Sequence, residues 1–357
     1  MKLGVIGLPQ VGKKTLFEIL TNHALSEKEL ASNSPVKGVA EIRDGRFDKL
    51  VAIYRPKKDV RARIDIELLP RLEKETISKG DIFADINELD AICHVVRAFK
   101  DDSVYHASGS VDPRRDIDSI NSELLLYDMI FIEKRLERLE HKIKQTKDDF
   151  SIKERELLVK LKSHLDKNLP LRLVDLTPDE KKALSSYPLV TRKEMIIVLN
   201  VSESDLKDHG LLEQLRRANQ SARIEMMQVS AKVESEIAHL ESEEERLEFL
   251  QALGIDEPAI NALTRLCLNT LNLISFFTVG PDEVRQWTLR RGSSAPEAAG
   301  AIHSDFQRGF IRAEVMKYDD LNNLGSEGKV KEAGRLYIKG KDYVVEDGDI
   351  INVRFNV

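Results

Sequence analysis

Residues 2–15 read Lys2-Leu3-Gly4-Val5-Ile6-Gly7-Leu8-Pro9-Gln10-Val11-Gly12-Lys13-Lys14-Thr15. The apolar run through Ile6 predicts a short buried strand. A turn bearing glycine and proline follows, then a helix over residues 13–22 with Leu16, Phe17 and Leu20 on one face. Gly7 to Lys13 satisfies G-x-x-x-x-G-K between a strand and a helix, the context that a phosphate loop requires. Glycines let several backbone N–H groups converge on one phosphate. The helix presents its positive end to the same anion, and Lys13 reaches the terminal phosphates. Pro9, Gln10, Val11, Gly12, Lys13, Lys14 and Thr15 are therefore candidate nucleotide-binding residues.

The motif's eighth position ordinarily carries a Ser or Thr hydroxyl for Mg²⁺. Here it is Lys14, with Thr15 one place later. An ammonium cannot coordinate a cation. Either Lys14 lies near the phosphates and neutralises charge in the metal's place, or it points to solvent. Ordinary Mg²⁺ coordination is doubtful on both readings.

Outward from this loop, the apolar runs at residues 91–97, 195–200 and 226–230 predict further strands, the first two buried on both faces. Residues 64–68 alternate like a strand. Strands spaced by helical segments indicate a doubly wound α/β sheet. Between Arg114 and Leu169 there is neither Gly nor Pro. Ile132, Leu136, Leu139 and Ile143 recur at helical spacing, as do Leu157, Leu158, Leu161 and Leu165, with polar residues 144–149 between the two sets. This predicts an inserted coiled-coil hairpin, either a solvated helix pair or a docking arm. After Leu271 the pattern changes to strands at 276–279, 284–289 and 310–315, a helix over 296–306 with Ser294 as N-cap, and a hairpin turning at Asp347-Gly348. Such a mixture fits a small β-grasp module. The expected domains are a nucleotide domain over 1–115 and 190–270, a helical insertion over 116–189 and a β-grasp domain over 271–357.

Hydrophobic residues make up 41% and charged residues 32% of the 357, with a formal net charge of -6. No apolar run is long enough to span a membrane, and the first residues are too short for a signal peptide. The two cysteines, Cys93 and Cys267, sit in apolar stretches and read as buried thiols. A cytoplasmic protein is expected. Net acidity opposes a nucleic-acid footprint over the whole surface, while Arg290, Arg291, Arg308 and Arg312 are candidates for a local basic patch that contacts RNA.

Residues 7–15, AICHVVRAF at 91–99, VYHASGSVDP at 104–113, Asn200-Val201-Ser202-Glu203 and the run 287–315 together resemble the Obg-like ATPase (YchF) family. The resemblance runs nearly end to end and is strongest over 270–357, which is similar to that family's TGS domain. It implies a nucleotide domain interrupted by a coiled-coil hairpin, ATP or GTP as ligand, and a ribosome or RNA as partner. Base selection falls to Asn200 and Glu203 as N-x-x-E, which favours ATP. It falls also to Ser230, Ala231 and Lys232 as S-A-K, a form more typical of GTPases. The resemblance places His106 where relatives carry a histidine that assists attack on the γ-phosphate. His94, inside an apolar strand, reads as a satisfied core residue.

Elements for hydrolysis depart from the family pattern. Relatives carry D-x-A-G-L after the strand taken here to end at Asp65, whereas this chain has Asp65-Ile66-Glu67-Leu68-Leu69. The glycine-rich switch is replaced by residues 70–76. The earlier switch, 30–36, has no Thr, leaving Ser32 or Ser34 as substitutes. Asp65 and Thr15 remain the metal candidates. The expectation is an ATP- or GTP-binding protein with weak or lost hydrolysis. The alternative is an interaction scaffold, nucleotide-gated or nucleotide-independent, that binds ribosome or RNA through its TGS domain without enzymatic activity.

Overall fold

The computed structural model describes residues 1–70, 72, 81–146, 148–240, 242–255 and 257–356. The chain divides into two compact units, Met1–Val39 with Asp65–Ile260, and Ala40–Ile64 with Asn261–Val357. Among the described residues the strands are β1 (Lys2–Ile6), β2 (Val36–Glu41), β3 (Lys58–Val60), β4 (Arg63–Leu68), β5 (Ala91–Arg97), β6 (Glu194–Asn200) and β7 (Ile224–Val229), followed by β8 (Leu273–Thr278), β9 (Glu283–Arg290), β10 (Phe310–Lys317), β11 (Tyr337–Lys339) and β12 (Asp349–Phe355).

The first sheet has the order β2-β4-β1-β5-β6-β7, and β4, β1, β5, β6 and β7 pair in parallel. β5 is buried along its whole length and β6 from Met195 onward. Their unbroken apolar runs belong to strands covered on both faces, as expected. The strand order reverses beside β1. In open parallel sheets the crevice at such a reversal, outside the carboxyl ends of the strands, is where ligands settle. The chain leaves β1 there and enters the helix Lys13–Thr21, which buries Leu16, Phe17 and Leu20.

The predicted hairpin is the helix pair Pro113–Thr146 and Asp149–Leu165. Ile132, Leu139, Leu157, Leu158, Leu161 and Leu165 form one buried cluster, with Leu136 and Ile143 packed against it. Asp148 starts the second helix by accepting the Ser151 N–H at 2.8 Å. The arm is anchored by Asp128, which is fully buried. Its carboxylate accepts from Val190 N at 2.8 Å, Thr191 N at 2.9 Å and Thr191 Oγ1 at 2.5 Å.

The second unit contains a six-stranded sheet, β11-β10-β12-β8-β9-β3. Period-2 alternation explains its two cores. Ile274, Phe276, Val315 and Ile351 face one side with Ala295, Ala298 and Ala299 of the helix Ala295–Ile302. Phe277, Met316 and Ile350 face the other, with Phe47 and Leu50 of the helix Gly45–Tyr54. Residues 40–64, expected in the nucleotide domain, thus belong to this unit. They supply that helix and the edge strand β3, which pairs in parallel with β9. The sequence Lys58-Asp59-Val60 carries no apolar alternation, so nothing local announced a strand.

Two further expectations differ from the structure. The segment 343–345 does not form a hairpin with β12. Instead Ala295 N donates to Tyr343 O and Val345 N to Ser293 O. The Asp347-Gly348 turn docks on β8, where Ser275 N donates to Asp347 Oδ1 at 2.8 Å and Gly348 N to Ser275 O at 2.8 Å. The helix expected over 296–306 breaks at His303, whose extended backbone (φ −161, ψ 141) separates Ala295–Ile302 from Ser304–Arg308. Cys93 and Cys267 are both buried and form no disulfide among the described residues, and burial pushes the Cys93 thiol up to about 12.

Asp128 gives a test of the arm's anchorage. Burial pushes its carboxyl up to about 6, against the opposing pull of its three donors. The folded chain therefore holds this proton more tightly than the unfolded chain. The stability Asp128 contributes is full at low pH and declines as pH rises from about 4 through that value. Asp128→Ala leaves three buried donors unpaired and should lower the unfolding free energy by about 3 kcal/mol. In urea denaturation the deficit should be larger at acid pH than at neutral pH; equal midpoints for variant and wild type would refute the assignment.

Candidate functional site

The carboxyl ends of β1, β5, β6 and β7 open onto one cavity of about 2050 Å³. That exceeds the roughly 300–1,000 Å³ of ordinary small-molecule sites. Pro9, Gln10, Val11, Gly12, Lys13, Lys14 and Thr15 line it, together with Asn200, Glu203, Ser230, Ala231 and Lys232. Three segments read separately from the sequence therefore converge, because the parallel register brings Ile6 beside His94, Arg97 beside Asn200 and Asn200 beside Val229.

The loop's shape is set by close approach. Gly12 has φ +92, and a Cβ there would lie 2.2 Å from Asn200 Nδ2. A Cβ on Gly7 would lie 2.6 Å from the Val95 carbonyl oxygen. Both motif glycines are thus required by the ends of neighbouring strands as well as by the turn. Asn200 is buried and uses both ends of its amide. Nδ2 donates to Val11 O at 3.0 Å, and Oδ1 accepts from Ala231 N at 2.9 Å. One side chain ties the phosphate loop to the S-A-K loop. Ser230 then caps the helix Ala231–His239. Glu203 opens a short 3-10 turn, Glu203–Asp205, and is exposed at the cavity.

Lys13 is buried, and its ammonium donates to Gly7 O at 3.1 Å and Pro70 O at 2.9 Å. His94 is buried in the adjacent strand. Burial first, and the Lys13 cation second, bring its imidazole down to about 3, so it is neutral. Its Nδ1 has no partner among the described residues, contrary to the expectation of a satisfied core histidine. Lys14 is half-buried and donates to Leu30 O at 3.2 Å, which ties it to the helix Glu27–Ala31.

The two metal candidates do not meet. β4 runs on through Leu68, so Asp65 lies near its start, in register with Lys2. Four residues separate that level from the end of β1, roughly 13 Å of strand. The Asp65 carboxylate stands 3.8 Å from the N-terminal amine and does not line the cavity. Asp65 is thereby removed as a metal ligand of this site, and Thr15 alone remains on the cavity wall. Ser32 and Ser34 also lie off the wall, with Ser34 N donating to Ser32 Oγ at 3.0 Å. Of the switch expected at 70–76, Arg71 and residues 73–76 lie outside the described residues.

His106 is buried with both ring nitrogens engaged. Nδ1 accepts from Ser108 N at 3.1 Å, so the proton sits on Nε2, which donates to Asp116 Oδ2 at 3.1 Å. Asp116 Oδ1 accepts from Arg115 Nε at 3.1 Å and Nη2 at 2.9 Å. Asp116 and Arg115 line the cavity and His106 does not. The ring is held at the first turn of the arm, off the cavity wall.

The four candidate arginines are not one patch. Arg290 ends β9 and Arg312 lies on β10, with β8 and β12 between them, roughly 14 Å of sheet. Arg308 is ion-paired with Asp305. Arg312 instead faces Arg354 across β10 and β12. Sequence reading also missed the wall formed by Phe99, Asp101 and Tyr105, although AICHVVRAF pointed to its first residue.

Comparison with known proteins gives one answer along the chain. Residues 273–356 match the family described as "YchF-GTPase_C: Protein of unknown function (DUF933)". The chain is 42% identical over 364 residues to "Ribosome-binding ATPase YchF" of Bacillus subtilis (strain 168), covering 99% of both chains. It is 37% identical to "Obg-like ATPase 1" of Oryza sativa subsp. japonica, covering 100% of this chain and 92% of that one. Among solved structures, the Schizosaccharomyces pombe YchF GTPase superposes with a TM-score of 0.84 at 31% identity, covering 99% of this chain and 97% of that one. With relatives at this identity over their whole length, and with a phosphate loop, an inserted helical arm and a matching C-terminal unit, the chain belongs to the YchF (Obg-like ATPase) family of P-loop proteins.

Proposed function

We propose that this chain binds a purine nucleoside triphosphate, ATP in preference to GTP, in the cavity beyond β1, that it works in association with the ribosome, and that it hydrolyses its nucleotide slowly or not at all. The observation that carries the nucleotide reading is the Asn200 bridge. It holds the phosphate loop and the S-A-K loop in one frame, the arrangement that seats phosphates at one end of a nucleotide and a base at the other. Glu203 in place of Asp weakens the reading of guanine's two N–H donors, which supports ATP. The names of the relatives support the ribosome as partner, and a cytoplasmic location goes with it.

Slow turnover is supported by geometry. Phosphoryl transfer depends on positioning and on charge placed where it develops. A nucleotide-bound Mg²⁺ would supply part of that charge, and Thr15 is the hydroxyl that the phosphate-loop segment places on this wall to offer it. The proton acceptor proposed for the attacking water, His106, has no free nitrogen while Asp116 and Ser108 hold it. Binding needs none of these groups, so affinity and turnover separate.

Calorimetric titration with ATP and GTP, with and without Mg²⁺, should show binding, tighter for ATP. Phosphate release should run at least ~100-fold below the ~10 s⁻¹ median of enzymes. No heat with either nucleotide would leave the scaffold reading; brisk release with Mg²⁺ would remove the claim of slow hydrolysis.

Freeing the histidine tests the second point. Asp116→Ala should raise the phosphate release rate several-fold with KM unchanged, and the gain should vanish in Asp116→Ala/His106→Ala. A fall in rate for the single variant would mean that Asp116 supports His106 in its active position.

For the partner, Arg312→Glu with Arg354→Glu should weaken co-sedimentation with ribosomes and flatten its salt dependence, because each lost phosphate contact lowers the salt slope by about one unit. Unchanged co-sedimentation would move the contact elsewhere.

A further inference from the structure

Arg97 is the largest fully buried side chain among the described residues. It ends β5, directly opposite Asn200. All four of its hydrogen bonds run to main-chain carbonyls of the loop that follows. Nε donates to Phe99 O at 3.2 Å, Nη1 to Val104 O at 3.0 Å and Tyr105 O at 3.2 Å, and Nη2 to Asp101 O at 3.0 Å. The guanidinium also lies 4.5 Å from the centre of the Phe99 ring.

A guanidinium is costly to remove from water, and a core position filled for packing alone would take an apolar side chain. What the planar fork supplies is direction: N–H groups diverging in one plane hold carbonyls on opposite sides at once. Here those carbonyls belong to one irregular loop whose residues Phe99, Asp101, Val104 and Tyr105 line the nucleotide cavity. The loop begins on the same frame, since Ala98 N and Phe99 N both donate to Asn200 O at 2.8 and 3.1 Å. It ends at Tyr105, immediately before His106.

We infer that Arg97 is a positioning residue of the nucleotide site, a buried clamp that gives the cavity wall 99–105 its shape by chelating its carbonyls. The inference rests on the nucleotide reading given above. A lysine keeps the charge but offers donors around a point, so it cannot span the same carbonyls.

The test is Arg97→Lys in the full chain. Nucleoside triphosphate affinity should fall at least about tenfold by calorimetry, with thermal melting close to wild type. Amide exchange should quicken over 99–106 and stay unchanged over β5. Arg97→Ala should lose affinity likewise, melt at a lower temperature because four carbonyls lose their donor, and recover affinity when free guanidinium is added at concentrations too low to denature; this arm decides the matter if the lysine variant does not fold. Wild-type affinity in a folded lysine variant, or no recovery by guanidinium, overturns the inference. If the wild-type chain binds neither ATP nor GTP, the nucleotide reading itself has failed, which is a different result from a wild type that binds and a variant that binds equally well.

Discussion

The amide of Asn200 is the contact on which the site is built. It lies at the carboxyl end of a buried parallel strand, and its donor and acceptor ends are spent on two different loops. A primary amide carries a donor and an acceptor fixed on opposite sides of one plane, so it can accept from one backbone group while donating to another. The absence of a Cβ at Gly12 admits it, since that atom would lie 2.2 Å from Nδ2. The glycine of the motif is usually credited to phosphate approach. In this chain it also makes room for the strap that connects the two ends of the site.

At this strap, and at the base of the arm beyond the other end of β6, charged groups are buried on backbone partners. Lys13 rests on the carbonyls of Gly7 and Pro70, Arg97 on four carbonyls, and the carboxylate of Asp128 on two amides and a hydroxyl. Each holds a stretch of irregular chain that no ladder of strand or helix holds. Loops at the carboxyl edge of a parallel sheet carry backbone groups that must be paired wherever they are buried. A long charged side chain rising from the end of a strand pairs several at once, at the cost of desolvating its own charge.

What the sequence disclosed follows from how local each signal is. The strand, loop and helix over residues 2–21 were legible because spacing and motif coincide within about twenty residues. The arm was legible because helical period persisted through two long segments. Asp65 was misplaced because matching the family's D-x-A-G-L put the end of the strand there, although the alternation through Ile66 and Leu68 carries it on. Register, which period-2 alternation does not fix by itself, sets which end of a strand a carboxylate occupies. Residues 40–64 were assigned to the wrong unit because membership depends on pairing with β9, more than two hundred residues away. The arginines looked like a cluster because distance along the chain is a poor guide to distance across a sheet. Arg97 carried no signal at all: an arginine at the end of an apolar run reads as the start of solvent, and only the path of residues 99–105 shows it to be interior.

Binding and turnover place different demands on this architecture. Seating a polyphosphate needs backbone amides, a helix end and one lysine, all of them fixed by the fold within a single turn of chain. Splitting it needs a base, a water and added charge each placed to within a few tenths of an ångström, drawn from segments separate in the chain from the phosphate loop. His106 belongs to such a segment. It is fixed through Asp116 to the first turn of a helix that extends to Thr146, so the ring cannot approach the nucleotide without a change at the base of the arm. A force or partner acting on the arm thus bears on the one proton-accepting side chain proposed for the site, while the phosphate loop, strapped to β6 by Asn200, stays as it is. On the proposed function, occupancy of the site and commitment to hydrolysis fall to separate parts of the same sheet edge.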